Sequence, residues 1–248
     1  MVPPPLLRED ADRTLRARHA CVGRTREQGG TLNTVGVQRR SGAWAGVGFA
    51  VLYVAGVLMA GGQPKTTNAM KHSPAAAEAA WHKYYADSGH RAVILVGAFV
   101  LAAAVLALIV FASSLQDRLT DAGAASATSR LVFGGALLFA AVTLAGTAAL
   151  AWIPGAKAFG DSPLPDGSIT YLASQLGFPL LLLGGGAAAA LLLVSAGWAA
   201  TRCGALPKWL GWAGVVIGVL VFFLSVFFLP MALVPLWVLI ASIAMLRR

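Results

Sequence analysis

Five long apolar runs constrain this chain more than any other feature. Residues 44–61, 92–115, 131–153, 169–200 and 209–245 contain no Asp, Glu, Lys, Arg or His. A bilayer core is about 30 Å thick, and roughly 20 apolar residues at 1.5 Å each cross it as a helix. The runs therefore predict an all-α fold, a polytopic transmembrane helical bundle. They also limit chemistry. Ionisable groups at membrane depth are costly and mark pathways or active sites. These runs offer none.

Only 12% of the 248 residues are charged, against about 25% in soluble domains. The net charge of +9 raises the question of nucleic acid, but its distribution argues against that partner. Eight basic residues (Arg8, Arg13, Arg16, Arg18, Arg24, Arg26, Arg39 and Arg40) precede the first run. Most others flank the runs, where they set orientation. Basic residues interleaved with an aromatic platform are absent. Cys21 and Cys203 form no CxxC or CxxCH pattern, so the expectation is two unpaired thiols and no cofactor held by cysteine.

Residues 1–40 are polar and Arg-rich and open on Pro3-Pro4-Pro5. They read as a disordered basic cytoplasmic tail. An equal alternative is an over-long reading frame, with the chain starting at Val35 or Val37. Residues 41–248 read as a single transmembrane helical domain. Its first span is expected at 43–61. This run is longer than a signal-peptide core and Leu58-Met59-Ala60-Gly61-Gly62 is a poor cleavage site, so it reads as a retained anchor. Ser73 as N-cap and Pro74 at the first helical position then predict a short outer-loop helix near 74–87. Ala77, Trp81, Tyr84 and Tyr85 share one side of it. Trp and Tyr favour interfaces, so this helix should lie on the bilayer surface or cap the bundle.

The second span is expected at 91–115, followed by a polar loop over 116–129. The third, 130–153, should stop at Pro154-Gly155. Pro163, Pro165, Asp166 and Gly167 signal a turn. The run 169–200 would measure about 48 Å as one helix, so the fourth span is expected to kink at Pro179 and loosen at Gly184-Gly185-Gly186. The run 209–245 would measure about 56 Å. Pro230 and Pro235 divide it, which predicts spans at 208–229 and 231–246, the last either full or re-entrant. With both termini cytoplasmic, 14 of the 19 basic residues lie inside and 5 outside, as the positive-inside rule requires. Discounting the tail except Arg39 and Arg40 leaves 8 against 5. Six spans follow.

Chemistry-bearing groups are sparse. His72, His82 and His90 share the outer loop with Glu78 and Asp87, but show no HExxH or HxH pattern. Asp87 and Arg91 are spaced for a surface ion pair. Asp161 and Asp166 suit turns and caps better than acid–base work. Ser195 sits in Leu193-Val194-Ser195-Ala196-Gly197, which fails the GxSxG pattern. The main polar groups at membrane depth are Gln175, Thr143 and Thr147. They are the candidate substrate site, with Gln175 beside the Pro179 kink. Interhelical hydrogen bonding is their commoner use. Gly42-x-x-x-Gly46 and Gly214-x-x-x-Gly218 permit close helix contact, which supports a tight bundle and, more weakly, a homo-oligomer.

Two segments carry a resemblance. Tyr84-Tyr85-Ala86-Asp87 precedes Arg91, and Gly204-Ala205-Leu206-Pro207-Lys208-Trp209-Leu210-Gly211-Trp212 precedes the fifth span. With the Arg247-Arg248 ending, they resemble a group of uncharacterised polytopic membrane proteins of high-GC bacteria, over residues 38–248. The resemblance implies a multi-pass protein of the bacterial inner membrane and supplies no catalytic residues. The overall expectation is a non-enzymatic protein, without metal or other cofactor, whose partners are the lipid bilayer and a membrane protein or second copy. The alternative is a small-solute transporter or permease component using the kinked fourth span.

Overall fold

The apolar runs fold as helices, and among the described residues no strand occurs. A computed structural model describes residues 41–160, 163–225 and 228–247. In chain order the elements are α1 (Ser41–Ala60), α2 (Asn68–His72), α3 (Pro74–Ala86), α4 (Ser88–Asp121), α5 (Ser126–Phe159), α6 (Gly167–Pro179), a π-helical turn (Leu180–Gly184), α7 (Gly185–Cys203), α8 (Lys208–Phe223) and α9 (Phe228–Leu246). The helices belong to one compact unit, Gly42–Arg248. The expected tail over 1–40, with Cys21 and both candidate start positions, lies outside the described residues, as does Asp161.

Four helices are long and apolar enough to cross a membrane: Ser41–Ala60, Ser88–Asp121, Ser126–Phe159 and Gly167–Cys203. The second and third outrun their expected bounds. The polar loop shrinks to residues 122–125, because Gln116–Asp121 continues α4 and Ser126 already starts α5. Each helix is 34 residues long, about 51 Å, so both project beyond a hydrocarbon core. Gly123, at φ 87°, makes the turn between them. The expected stop at Pro154-Gly155 is corrected as well. Pro154 sits buried inside α5, which runs on to Phe159. Proline removes one backbone hydrogen bond, a cost that neighbouring helices and local adjustment absorb in apolar bundles.

The fourth long helix is continuous from Gly167 to Cys203, with the expected irregularity at Pro179. Proline has no N–H to donate. The ladder widens directly after it into the π turn, and Gly185 N–H reaches back five residues to the Leu180 carbonyl. The Pro230 break moves. α8 ends at Phe223 and α9 begins at Phe228, so Pro230 falls in the first turn of α9. Its missing N–H is unused there.

α5 is central and touches α4, α6, the π turn and α7; α8 lies along α7 and α9. Glycines sit where these helices meet. A Cβ at Gly135 would come 2.7 Å from the Leu192 backbone nitrogen, and one at Gly97 would meet the Ala60 backbone at 2.5 Å. The two GxxxG pairs are used inside the bundle. Gly42 and Gly46 face Ser114, Phe111 and Ser242; Gly214 faces Trp237 and Gly218 faces Val194. Large apolar side chains such as Leu58, Phe99, Phe159 and Phe223 point outward. The core also holds large side chains, among them Phe49, Phe111, Phe139 and Trp237, and the glycines let the helices close around them, as suits hydrocarbon, where close packing rather than water exclusion holds helices together.

Candidate functional site

The α3 end of the bundle is assembled by local capping. The Ser73 hydroxyl accepts from Ala76 N–H and Pro74 opens α3, as the sequence predicts. Ala77, Trp81 and Tyr85 are its buried face, and Trp81 and Tyr85 pack with Ile94, Ile153 and Ala173, so α3 lies against α6 and the start of α4. Asp87 caps α4, accepting from His90 N–H at 3.0 Å. That bond, above all, holds its carboxyl below the usual carboxylate range. Arg91 does not make the expected pair with Asp87. Its guanidinium donates to the Tyr85 and Ala86 carbonyls, both at 2.7 Å, because the carbonyls ending α3 are unpaired and carry the negative end of the helix dipole. Burial, followed by the neighbouring Tyr84, pushes the Tyr85 phenol up to about 12.

The outer-loop histidines do not converge. His72 and His82 are exposed, and His90 stacks on Tyr84 with ring centroids 4.2 Å apart. Among the described residues no three His, Cys, Asp or Glu side chains gather as metal ligands. Asp166 stands at the start of α6 but caps it through its backbone carbonyl, which accepts from Ile169 and Thr170 N–H. Cys203 donates to the Ala199 carbonyl.

Of the three sequence candidates at depth, two share a helix face and one stands apart. Thr143 and Thr147 are buried one turn apart on α5, whereas Gln175 is exposed on α6. The Thr147 hydroxyl is buried with no hydrogen-bond partner among the described residues. Buried serines do not bridge helices either. Ser195 donates to Leu191 and Leu192 carbonyls, Ser174 to Tyr171 and Ser242 to Val238, all on their own helices. A bond from one helix to another comes instead from Trp237, whose indole N–H on α9 donates to the Leu210 carbonyl on α8 at 3.1 Å.

Thr143 reaches a cavity of about 270 Å³. Its walls come from α1 and α4, from α5 and the Pro179 break (Phe178, Leu181 and Leu182), and from α9 (Ala232 and Pro235). Among the described residues, Tyr53 and Thr143 supply the only polar side chains in the lining. Tyr53 packs its ring on Phe139, with centroids 5.8 Å apart; Phe139 lies one turn before Thr143 on α5, so both hydroxyl residues sit at one level of the bundle. Gln175 is not part of the lining. Val54 and Leu58 are, and both are exposed on the outer face of α1, so the cavity reaches the flank of the bundle. Sequence reasoning passes over Tyr53, although a tyrosine well inside an apolar run is itself a polar group at depth.

No protein-family model matches the chain, and neither a curated protein nor a solved structure does.

Proposed function

We propose that this chain is a six-span integral protein of the bacterial inner membrane, without enzymatic activity, that works by binding a neutral apolar partner in its bundle. The observation that carries the reading is the cavity lining: among the described residues it is apolar throughout except for two hydroxyl residues, and without a carboxylate, ammonium, guanidinium or imidazole. A largely apolar concavity with few polar groups is the usual form of a small-molecule site. A charged ligand would find no counter-charge there.

Four helices are long and apolar enough to cross a membrane, which supports four of the six spans. α8 and α9, at 16 and 19 residues, measure about 24 and 28 Å, which supports a closing pair that returns the chain to the side of its N-terminus. A reporter enzyme fused after Arg248 is then expected to read out as cytoplasmic. A periplasmic readout overturns six spans.

Binding is tested with durene, a flat apolar hydrocarbon, titrated calorimetrically into the detergent-solubilised protein with empty micelles subtracted. The wild-type chain should give a saturable signal. Leu182→Trp, which fills the cavity from a half-buried wall position, should lower affinity at least tenfold while far-ultraviolet circular dichroism stays unchanged. Equal binding by both proteins moves the ligand elsewhere, and no saturable binding ends the reading.

A second reading is a small-solute transporter or permease component. It is favoured by the Pro179 break lining the cavity, since broken helices are where transporters hold substrate. The exposure of Gln175 leaves that reading without its polar ligand group.

A further inference from the structure

We propose that the occupant of this cavity is a neutral, membrane-dissolved molecule carrying a carbonyl on an apolar frame, such as a quinone ring, held by hydrogen bonds from the Tyr53 and Thr143 hydroxyls. The proposal rests on the reading of the cavity as a binding site and adds the chemistry of its ligand. Size comes first. A cavity of about 150 Å³ accommodates benzene, so about 270 Å³ suits a molecule of roughly ten non-hydrogen atoms. Charge comes second. Among the described residues the lining holds no group that is ionised at neutral pH, and an unpaired charge is not carried into such a space. This excludes fatty carboxylates and ammonium heads.

The hydroxyls decide the rest. Both residues are deeply buried, Tyr53 at 6% and Thr143 at 1% exposure, on different helices yet beside one space. A plain hydrocarbon fills that space and gives neither hydroxyl an acceptor, and an unmet buried polar group is costly. A carbonyl oxygen accepts from O–H donors and brings no charge. Entry fits the same chemistry, because Val54 and Leu58 belong to both the lining and the exposed flank of α1. A ligand dissolved in hydrocarbon reaches the cavity from the side without crossing water.

The test compares duroquinone with durene, which share a methylated six-membered ring and differ by two carbonyls. Both are titrated into the full-length detergent-solubilised protein. Duroquinone should bind at least tenfold more tightly than durene. Tyr53→Phe and Thr143→Val should each weaken duroquinone about fivefold, the worth of one net hydrogen bond, and leave durene unchanged. Unchanged durene affinity also shows that the variants keep their fold. Equal affinity for the two probes, or the same loss of both in the variants, overturns the carbonyl while leaving an apolar site standing. Failure of both probes to bind removes the apolar site as well.

Discussion

Gly197→Leu is expected to separate α7 from α8 and abolish a monodisperse folded protein. A Cβ at Gly197 would fall inside contact distance of the Gly211 carbonyl oxygen and 2.9 Å from the Val215 backbone nitrogen. Gly211 meets the Gly197 carbonyl in return, at 2.9 Å. These are backbone atoms in the middle of helices, so they cannot swing aside as a flexible side chain does. Overpacking a core costs about 1–3 kcal/mol where side chains adjust. Here whole helices must move apart, and the cost should exceed about 3 kcal/mol, a large share of the 5–15 kcal/mol that holds a typical domain. Size-exclusion chromatography in mild detergent should show aggregate in place of a single peak. Gly134→Leu is the control: nothing lies within 4 Å of its added Cβ, so the peak should persist. An intact peak for Gly197→Leu would mean that the α7–α8 crossing is not as close as described.

Trp237→Ala should cost about 3–5 kcal/mol, the range for deleting a large buried aromatic. Trp237 is 1% exposed and fills the space left by Gly214, whose Cβ would come within 2.9 Å of the indole nitrogen. Its N–H also holds the Leu210 carbonyl across the α8–α9 contact. Trp237→Phe keeps most of the ring and loses that bond, so it should cost about 1 kcal/mol from the hydrogen bond alone plus a packing loss. Thermal unfolding in detergent, followed by intrinsic fluorescence and circular dichroism, ranks the three proteins. If alanine and phenylalanine melt together near the wild type, Trp237 does not hold α9 to the bundle.

The candidate site was only half legible beforehand. Thr143 is recognisable as a polar group in an apolar run, and the cavity does reach it. Gln175 carries the same signal but faces outward on α6. The helical phase that separates them depends on which flank of each helix meets α5. Nearly all positions in these runs are apolar, so periodicity does not distinguish a lipid-facing side from a core-facing one. The same ambiguity hides the roles of the glycines. Gly197 and Gly134 look alike in the sequence, yet one touches backbone and the other open space.

Capping chemistry is local, and the sequence alone locates it. Ser73 and Pro74 mark the start of α3 in the sequence, and the structure caps it there. Composition likewise suffices for helices long enough to cross a membrane, because backbone polar groups in hydrocarbon must be satisfied within their own helix. The tertiary structure decided what depends on neighbours. It carried α5 through Pro154, moved the last break upstream of Pro230, turned Arg91 from Asp87 to the α3 carbonyls, and gathered Tyr53 and Thr143 around one space. Each outcome is a competition between a local preference worth about 1–3 kcal/mol and the packing around it, and only the assembled bundle sets the packing side.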